Sequence, residues 1–189
     1  MGAKHPRAIW KGASFMPVNV EIKARIGSVE RMSQTVEGLG YFCCQILDQE
    51  DIFFHSSAGR LKLRLCSQAN GELIFYERSN TAEPKPSKYV IYRSSDPQLL
   101  KEILSAAVGI VGVVRKRRLL YLVGQTRIHL DAVEELGSFI ELEVVLQPGQ
   151  TVEEGQQIAL DLMDDLGIRH ECLIAHAYVD MLCKATQSG

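Results

Sequence analysis

The chain has 189 residues, 46% of them hydrophobic and 23% charged, with 21 basic against 23 acidic side chains and a net charge of −2. That length suits one domain and the composition is that of a globular protein. The near balance of charge excludes a general nucleic-acid binder, which needs a basic excess. Five cysteines, none in a C-x-x-C pair, indicate neither a disulfide framework nor a zinc site and point to a reducing compartment. No apolar run approaches the roughly 20 residues of a membrane span.

Residues 1–16 carry Lys4, Arg7 and Lys11, no acidic residue, and the single tryptophan, Trp10. A short transit-like leader and a disordered extension are the two readings. The brevity of the segment and its lack of serine-rich amphipathic character favour the extension.

The first strand is expected over 17–26. Val18, Val20, Ile22, Ala24 and Ile26 alternate with Asn19, Glu21, Lys23 and Arg25, which gives a strand one apolar and one charged face. Ser28 caps a helix that runs to Leu39 and stops at Gly40, with Val29, Met32, Val36 and Leu39 as its buried stripe. Residues 41–52 read as strand, with 48–51 as a polar corner, and Phe53 and Phe54 resume it. Over 60–66, Arg60, Lys62 and Arg64 share a face opposite Leu61, Leu63 and Leu65. Asn70-Gly71 is a hairpin signal that pairs this strand with 72–78.

Pro84 and Pro86 mark 81–87 as loop, before a short strand over 89–93. Asp96-Pro97 opens a second helix ending near Gly109. Residues 110–118 and 119–123 are strand-like, with a bend expected at the basic run 115–118. Arg127, His129 and Asp131 then alternate with Ile128 and Leu130, and Glu141 and Glu143 with Ile140, Leu142 and Val144. Thr151 and Glu154 form a capping box for a helix to Gly167, and a last helix is expected over 172–184. About eight strands with antiparallel turns and four helices indicate an α+β fold with a large antiparallel sheet. Closure into an eight-stranded β-barrel with flanking helices removes the open edges and puts alternate residues inside.

The polar faces of these strands form a constellation. Lys23, Arg25, Arg60, Lys62, Arg64, Arg127 and two of the four residues Arg115–Arg118 are basic; Glu21, Asp131, Glu141 and Glu143 are acidic. Arginine forks and lysine ammoniums suit a polyphosphate, and carboxylates suit a hard divalent cation. A sheet with one face in water also alternates apolar and charged residues, but solvated faces are usually richer in Thr, Ser and Gln than these. His129 faces the same way as Arg127 and Asp131. A histidine so placed is more often held by a neighbouring carboxylate than used as an acid–base group.

Residues 20–25, Val-Glu-Ile-Lys-Ala-Arg, resemble the E-x-E-x-K signature strand of the CYTH, or triphosphate tunnel metalloenzyme, superfamily. Residues 48–54, Asp-Gln-Glu-Asp-Ile-Phe-Phe, are similar to its H-Q-x-D-T-Y-F, and 59–64 to its glycine-led basic strand. The basic run 115–118, Ile128-His129-Leu130-Asp131, Leu136-Gly137 and 139–143 resemble its late strands. The ordered set looks closest to the class IV adenylyl cyclase-like branch.

The resemblance implies a CYTH domain over 17–183, with the barrel to about 147 and helices over 151–183. It implies a basic tunnel holding a triphosphate beside magnesium or manganese. Carried over by position, Lys23, Arg25, Lys62, Arg64, Lys116 and Arg118 would bind phosphate, with Arg78 and Arg127 in addition. Lys116 and Arg118 are preferred over Arg115 and Arg117 because the family strand reads K-x-R. Glu21, Asp131, Glu141 and Glu143 would be the metal ligands, and Glu21 and Glu143 the catalytic pair.

Three positions depart from the pattern: Asn19 stands for the first glutamate, Asp48 for the histidine and Ile52 for the threonine. The expectation is a cytoplasmic metal-dependent phosphohydrolase acting on inorganic triphosphate, thiamine triphosphate or a nucleotide. Its partner is that small molecule, with no nucleic-acid polymer and no membrane; a homodimer is left open. The alternatives are a class IV adenylyl cyclase forming cyclic AMP and pyrophosphate from ATP, and a non-catalytic polyphosphate binder.

Overall fold

The computed structural model describes residues 17–65 and 70–187; the extension expected over 1–16 and the last residue of the strand expected over 60–66 lie outside them. In chain order the described residues form β1 (Val18–Arg25), α1 (Val29–Gly38), β2 (Cys43–Phe54), β3 (Arg60–Leu65), β4 (Gly71–Arg78), β5 (Lys85–Ser94), α2 (Pro97–Val108), β6 (Ile110–Val123), β7 (Thr126–Val133), β8 (Gly137–Val145), α3 (Val152–Asp165) and α4 (Tyr178–Gln187). The strands close into an antiparallel barrel in the order β1-β5-β4-β3-β2-β6-β7-β8. The eight-stranded barrel expected from the alternation is therefore the fold.

Its helix starts obey the local chemistry. Ser28 accepts a hydrogen bond from the Arg31 amide at 3.3 Å and Asp96 one from the Leu99 amide at 3.0 Å. Thr151 and Glu154 satisfy each other's backbone amides at 3.2 and 2.7 Å, a full capping box.

Four expectations are corrected. Residues 48–51 do not turn a corner: β2 runs unbroken through them, because each of its positions from Leu47 to Ile52 pairs in register with β6. The basic run makes no bend, since β6 is one strand of 14 residues. β5 begins at Lys85, so Pro86 lies within a strand. Pairing with β4 stops at Ser87, which leaves Pro86 only β1 as a neighbour and makes the missing amide tolerable. The last helix starts at Tyr178 rather than near 172. A single 3-10 turn, His170–Cys172, comes before it. Extended residues follow that turn, where Leu173 bridges Ala24 and the Ile174 amide donates to the Lys23 carbonyl at 2.8 Å.

The barrel is apolar outside and polar inside. Ile22, Ile128, Leu130, Ile140 and Leu142 point outward and are buried under α1 and α3 with Val36, Leu162 and Met163. Ile52 and Leu63 pack with Leu100 and Leu104 of α2. Each such fully buried aliphatic side chain stabilises by about 1.5–3 kcal/mol, which offsets the cost of a charged interior. α3 lies so close to β1 that a Cβ on Gly155 would meet Leu146 Cδ2 and stand 2.9 Å from Val20 Cγ2. Gly155→Ala should therefore lose about 1–3 kcal/mol to overpacking despite alanine's better helix propensity. A melting temperature equal to or above that of the parent would refute this close contact.

Candidate functional site

The period of two turns alternate residues of every strand into the lumen. Register then decides which of them meet. β1 and β8 align Glu21 with Glu143 and Lys23 with Glu141; β7 and β8 align Arg127 with Glu143 and His129 with Glu141. Among the described residues one cavity is lined by Lys23, Lys62, Arg64, Arg78, Lys116, Arg118 and Arg127 and by Glu21, Asp51, Glu141 and Glu143. Seven basic groups face four acidic ones, so the lumen holds an excess of positive charge that a polyanion can neutralise.

Ten of the residues singled out in the sequence thus share one cavity. Arg25 does not join them: it is exposed at the C-terminal end of β1 and donates to the Leu136 carbonyl at 2.8 Å. Asp131 is fully buried behind Arg118, which grips it with two bonds of 2.6 Å, and it also accepts from the Tyr178 hydroxyl at 3.0 Å. Lys116 and Arg118 point inward, whereas Arg115 and Arg117 have side chains 56% and 62% exposed. Arg60 pairs with Asp180 at 2.6 Å rather than lining the cavity.

Two groups escaped the sequence reading. Asp51 sits at the centre of the basic wall, 2.9 Å from Lys62, 2.8 Å from Arg64 and 3.5 Å from Lys116. Burial raises its carboxyl, but Arg64, Lys62 and Lys116 hold it well below the usual range. The aspartate kept in the 48–54 motif was the available signal, obscured by reading those residues as a corner. Tyr178, the first residue of α4, inserts into the barrel end formed by Phe53, Val114, Val133 and Phe139. The Lys23 ammonium lies 3.6 Å from the centre of its ring. Nothing in the local sequence marks Tyr178 as a lumen residue. Tyr89 of β5 lines the cavity as well.

Burial brings the Lys62 ammonium down to about 7, with Arg64 adding to the shift against the pull of Asp51. Lys62 is therefore charged in the folded protein below about pH 7 and neutral above it, while the unfolded lysine stays charged to its ordinary value of 10.5. Triphosphate affinity should fall as pH rises through 7, and Lys62→Arg should flatten the profile. Loss of one charge-assisted contact is worth about 1.5–3 kcal/mol, roughly ten-fold or more in affinity. Calorimetric titration with inorganic triphosphate at pH 6 and 9 tests this; identical pH dependence in parent and variant would remove Lys62 as the cause.

A divalent cation fits the other side of the lumen. His129, Glu141 and Glu143 each offer a donor atom within 4.8 Å of the others. Burial, with Arg118, lowers the His129 imidazole from its usual range, which leaves it neutral at pH 7. Glu21 neighbours Glu143 in register and is tied to Arg78 at 2.9 Å. Burial raises its carboxyl, and Glu141 and Glu143 add to the shift against Arg78.

A closed antiparallel barrel with a basic lumen and a carboxylate cluster defines a protein built around a charged tunnel. The CYTH domain profile matches residues 18–178, and the chain belongs to the CYTH family. No curated protein sequence matches it. Among solved structures it is similar to the PH1012 protein of Pyrococcus horikoshii OT3, with 26% identity, a TM-score of 0.77, and 86% of this chain and 98% of that one covered. A candidate adenylate cyclase of Vibrio parahaemolyticus is 17% identical with a TM-score of 0.70, covering 87% and 97%. HpAC1 of Hippeastrum, a candidate adenylyl cyclase reported to have a dominant triphosphatase activity, is 15% identical with a TM-score of 0.61, covering 90% and 96%. The last two likenesses speak for the fold. Among the described residues no helix is long and apolar enough to cross a membrane.

Proposed function

We propose that the protein is a metal-dependent phosphohydrolase that takes a small triphosphate (inorganic triphosphate, thiamine triphosphate or a nucleotide) into the barrel lumen. The observation that carries this reading is the excess of basic over acidic side chains in one cavity of the barrel, beside a cluster of cation donors. Lys62, Arg64, Lys116 and Arg118 form the wall that grips phosphate oxygens, with Arg78 and Arg127 facing them. Asp51 and Asp131 hold that wall in place. Glu141 and Glu143 hold magnesium or manganese, with Glu21 next to them in register. The bound cation would polarise a phosphoryl oxygen and neutralise charge developing on the transferred group. The lumen residues orient the chain of phosphates and exclude bulk water from all but the attacked phosphorus.

Hydrolysis requires only a water. Cyclisation of ATP requires in addition a seat for adenine and ribose, which the charged half of the cavity wall, 11 of its 21 lining residues, does not supply. Triphosphatase is therefore preferred over adenylyl cyclase. Five cysteines with no C-x-x-C pair support a reducing compartment, such as the cytoplasm, for this activity.

Product analysis tests the reading. The full chain is offered inorganic triphosphate, thiamine triphosphate and ATP separately, with magnesium or manganese. The expected result is release of phosphate, abolished by chelator. Cyclic AMP and pyrophosphate from ATP would move the assignment to the cyclase, and binding without turnover of any of the three would make the protein a polyphosphate binder.

A further inference from the structure

The lumen contains a buried nitrogen for which the phosphate wall has no use. His129 Nδ1 is enclosed and has no hydrogen-bond partner. It faces Glu141 Oε2 at 3.9 Å and Glu143 Oε1 at 3.8 Å, separations too long for a hydrogen bond. Two donors of one divalent ion, each about 2.1 Å from it, stand roughly 3.0–3.5 Å apart, so the imidazole nitrogen needs to move only a few tenths of an ångström toward either carboxylate to share an ion with it. The backbone sets this arrangement, because His129 and Glu141 are direct cross-strand partners and Glu143 follows two residues on, on the same face.

We propose that His129 is a nitrogen ligand of the cation site, together with Glu141 and Glu143, and that it biases the site away from magnesium toward divalent transition metals, most strongly the borderline ions cobalt and zinc and less strongly the harder manganese. The inference rests on the proposed metal-dependent reading and specifies the ion for it. The other lumen carboxylates are engaged elsewhere: Asp51 by three cations, Asp131 by Arg118 and Tyr178, Glu21 by Arg78. Glu141 is anchored by Lys23 at 2.8 Å and Arg118 at 2.6 Å, which fixes its carboxylate beside the imidazole. Position 19, where the family signature has a further glutamate, here holds an uncharged asparagine. The donor set is thus poorer in the hard oxygen charge that magnesium favours and contains an imidazole, which favours transition metals.

Manganese loaded into the full chain is the probe, read by pulsed electron paramagnetic resonance. The expected spectrum carries a nitrogen-14 coupling that becomes a nitrogen-15 coupling when the protein is grown with nitrogen-15 histidine, and that is absent from His129→Gln. Glu143→Gln, which removes an oxygen donor from the same site, should also lose or strongly weaken it, so the assignment survives a His129 variant that fails to fold. Magnesium should displace manganese from His129→Asp at roughly one-tenth or less of the concentration needed for the parent. Manganese bound with oxygen ligands alone, or a nitrogen coupling that persists in His129→Gln, would overturn the inference while leaving the hydrolase reading intact. No manganese binding, with or without triphosphate, would overturn the inference, and no binding of magnesium either would overturn the metal-dependent reading with it.

Discussion

Glu143→Gln should reduce metal-dependent phosphate release by about 100-fold or more while leaving the protein folded. The variant keeps the shape of the side chain and removes its charge, so the cation loses a ligand. Even outer-sphere substitutions around metal sites cost about 10–100-fold in affinity or activity, and a direct ligand should cost at least the upper end of that range. The fold should tolerate the change because the groups facing Glu143 are Arg127, 3.5 Å away with a side chain 43% exposed that water can solvate in its place, and the neutral imidazole of His129 at 3.8 Å. Glu141→Gln is a poorer experiment: it would strip a partner from buried Lys23 and Arg118 together, and any loss of activity could be a loss of structure. Turnover of inorganic triphosphate by Glu143→Gln at the parental rate would take Glu143 out of the metal site.

Asp51→Asn should lower the melting temperature sharply. Asp51 is 1% exposed and lies against Lys62, Arg64 and Lys116, so the substitution leaves three cations crowded in low dielectric without their counter-charge. Breaking a buried pair in this way costs about 3–5 kcal/mol, and in a chain of this size that is roughly 6–20 °C. The same change makes the wall hungrier for anions, so added triphosphate should raise the melting temperature of the variant by more than that of the parent. Saturation at one hundred times the dissociation constant contributes about 2.7 kcal/mol. The native Asp51 carboxyl titrates below its unfolded value of 3.8. Its contribution is therefore complete above about pH 4 and is lost as the pH falls through the native value. A melting temperature within a degree of the parent, with no added benefit from triphosphate, would show that the basic wall does not depend on Asp51.

The facing of most lumen charges, though not that of Asp51, was legible in the sequence. The alternation in 18–26, 60–65 and 127–131 put Glu21, Lys23, Lys62, Arg64 and Arg127 on polar faces, and the K-x-R phase chose Lys116 and Arg118 over their neighbours. Arg25 obeys the same alternation yet lies outside the cavity, because it is the last residue of β1 and the lumen ends before it. Asp51 was hidden because a run of four polar residues reads locally as a turn. Register with β6 keeps it extended, and hydrogen bonding to a neighbouring strand is not encoded in composition.

By itself the sequence determined the period of each strand, the helix caps and the split of each strand into an apolar and a charged face. These depend on residues close together in the chain. The tertiary structure alone decided which charges neutralise one another, that Tyr178 from α4 enters one end of the barrel, and that His129 Nδ1 faces Glu141 and Glu143 without a hydrogen-bond partner. Those outcomes depend on strand register and on contacts spanning tens of residues. A shift of one residue in register would exchange every partner while leaving the sequence pattern unchanged.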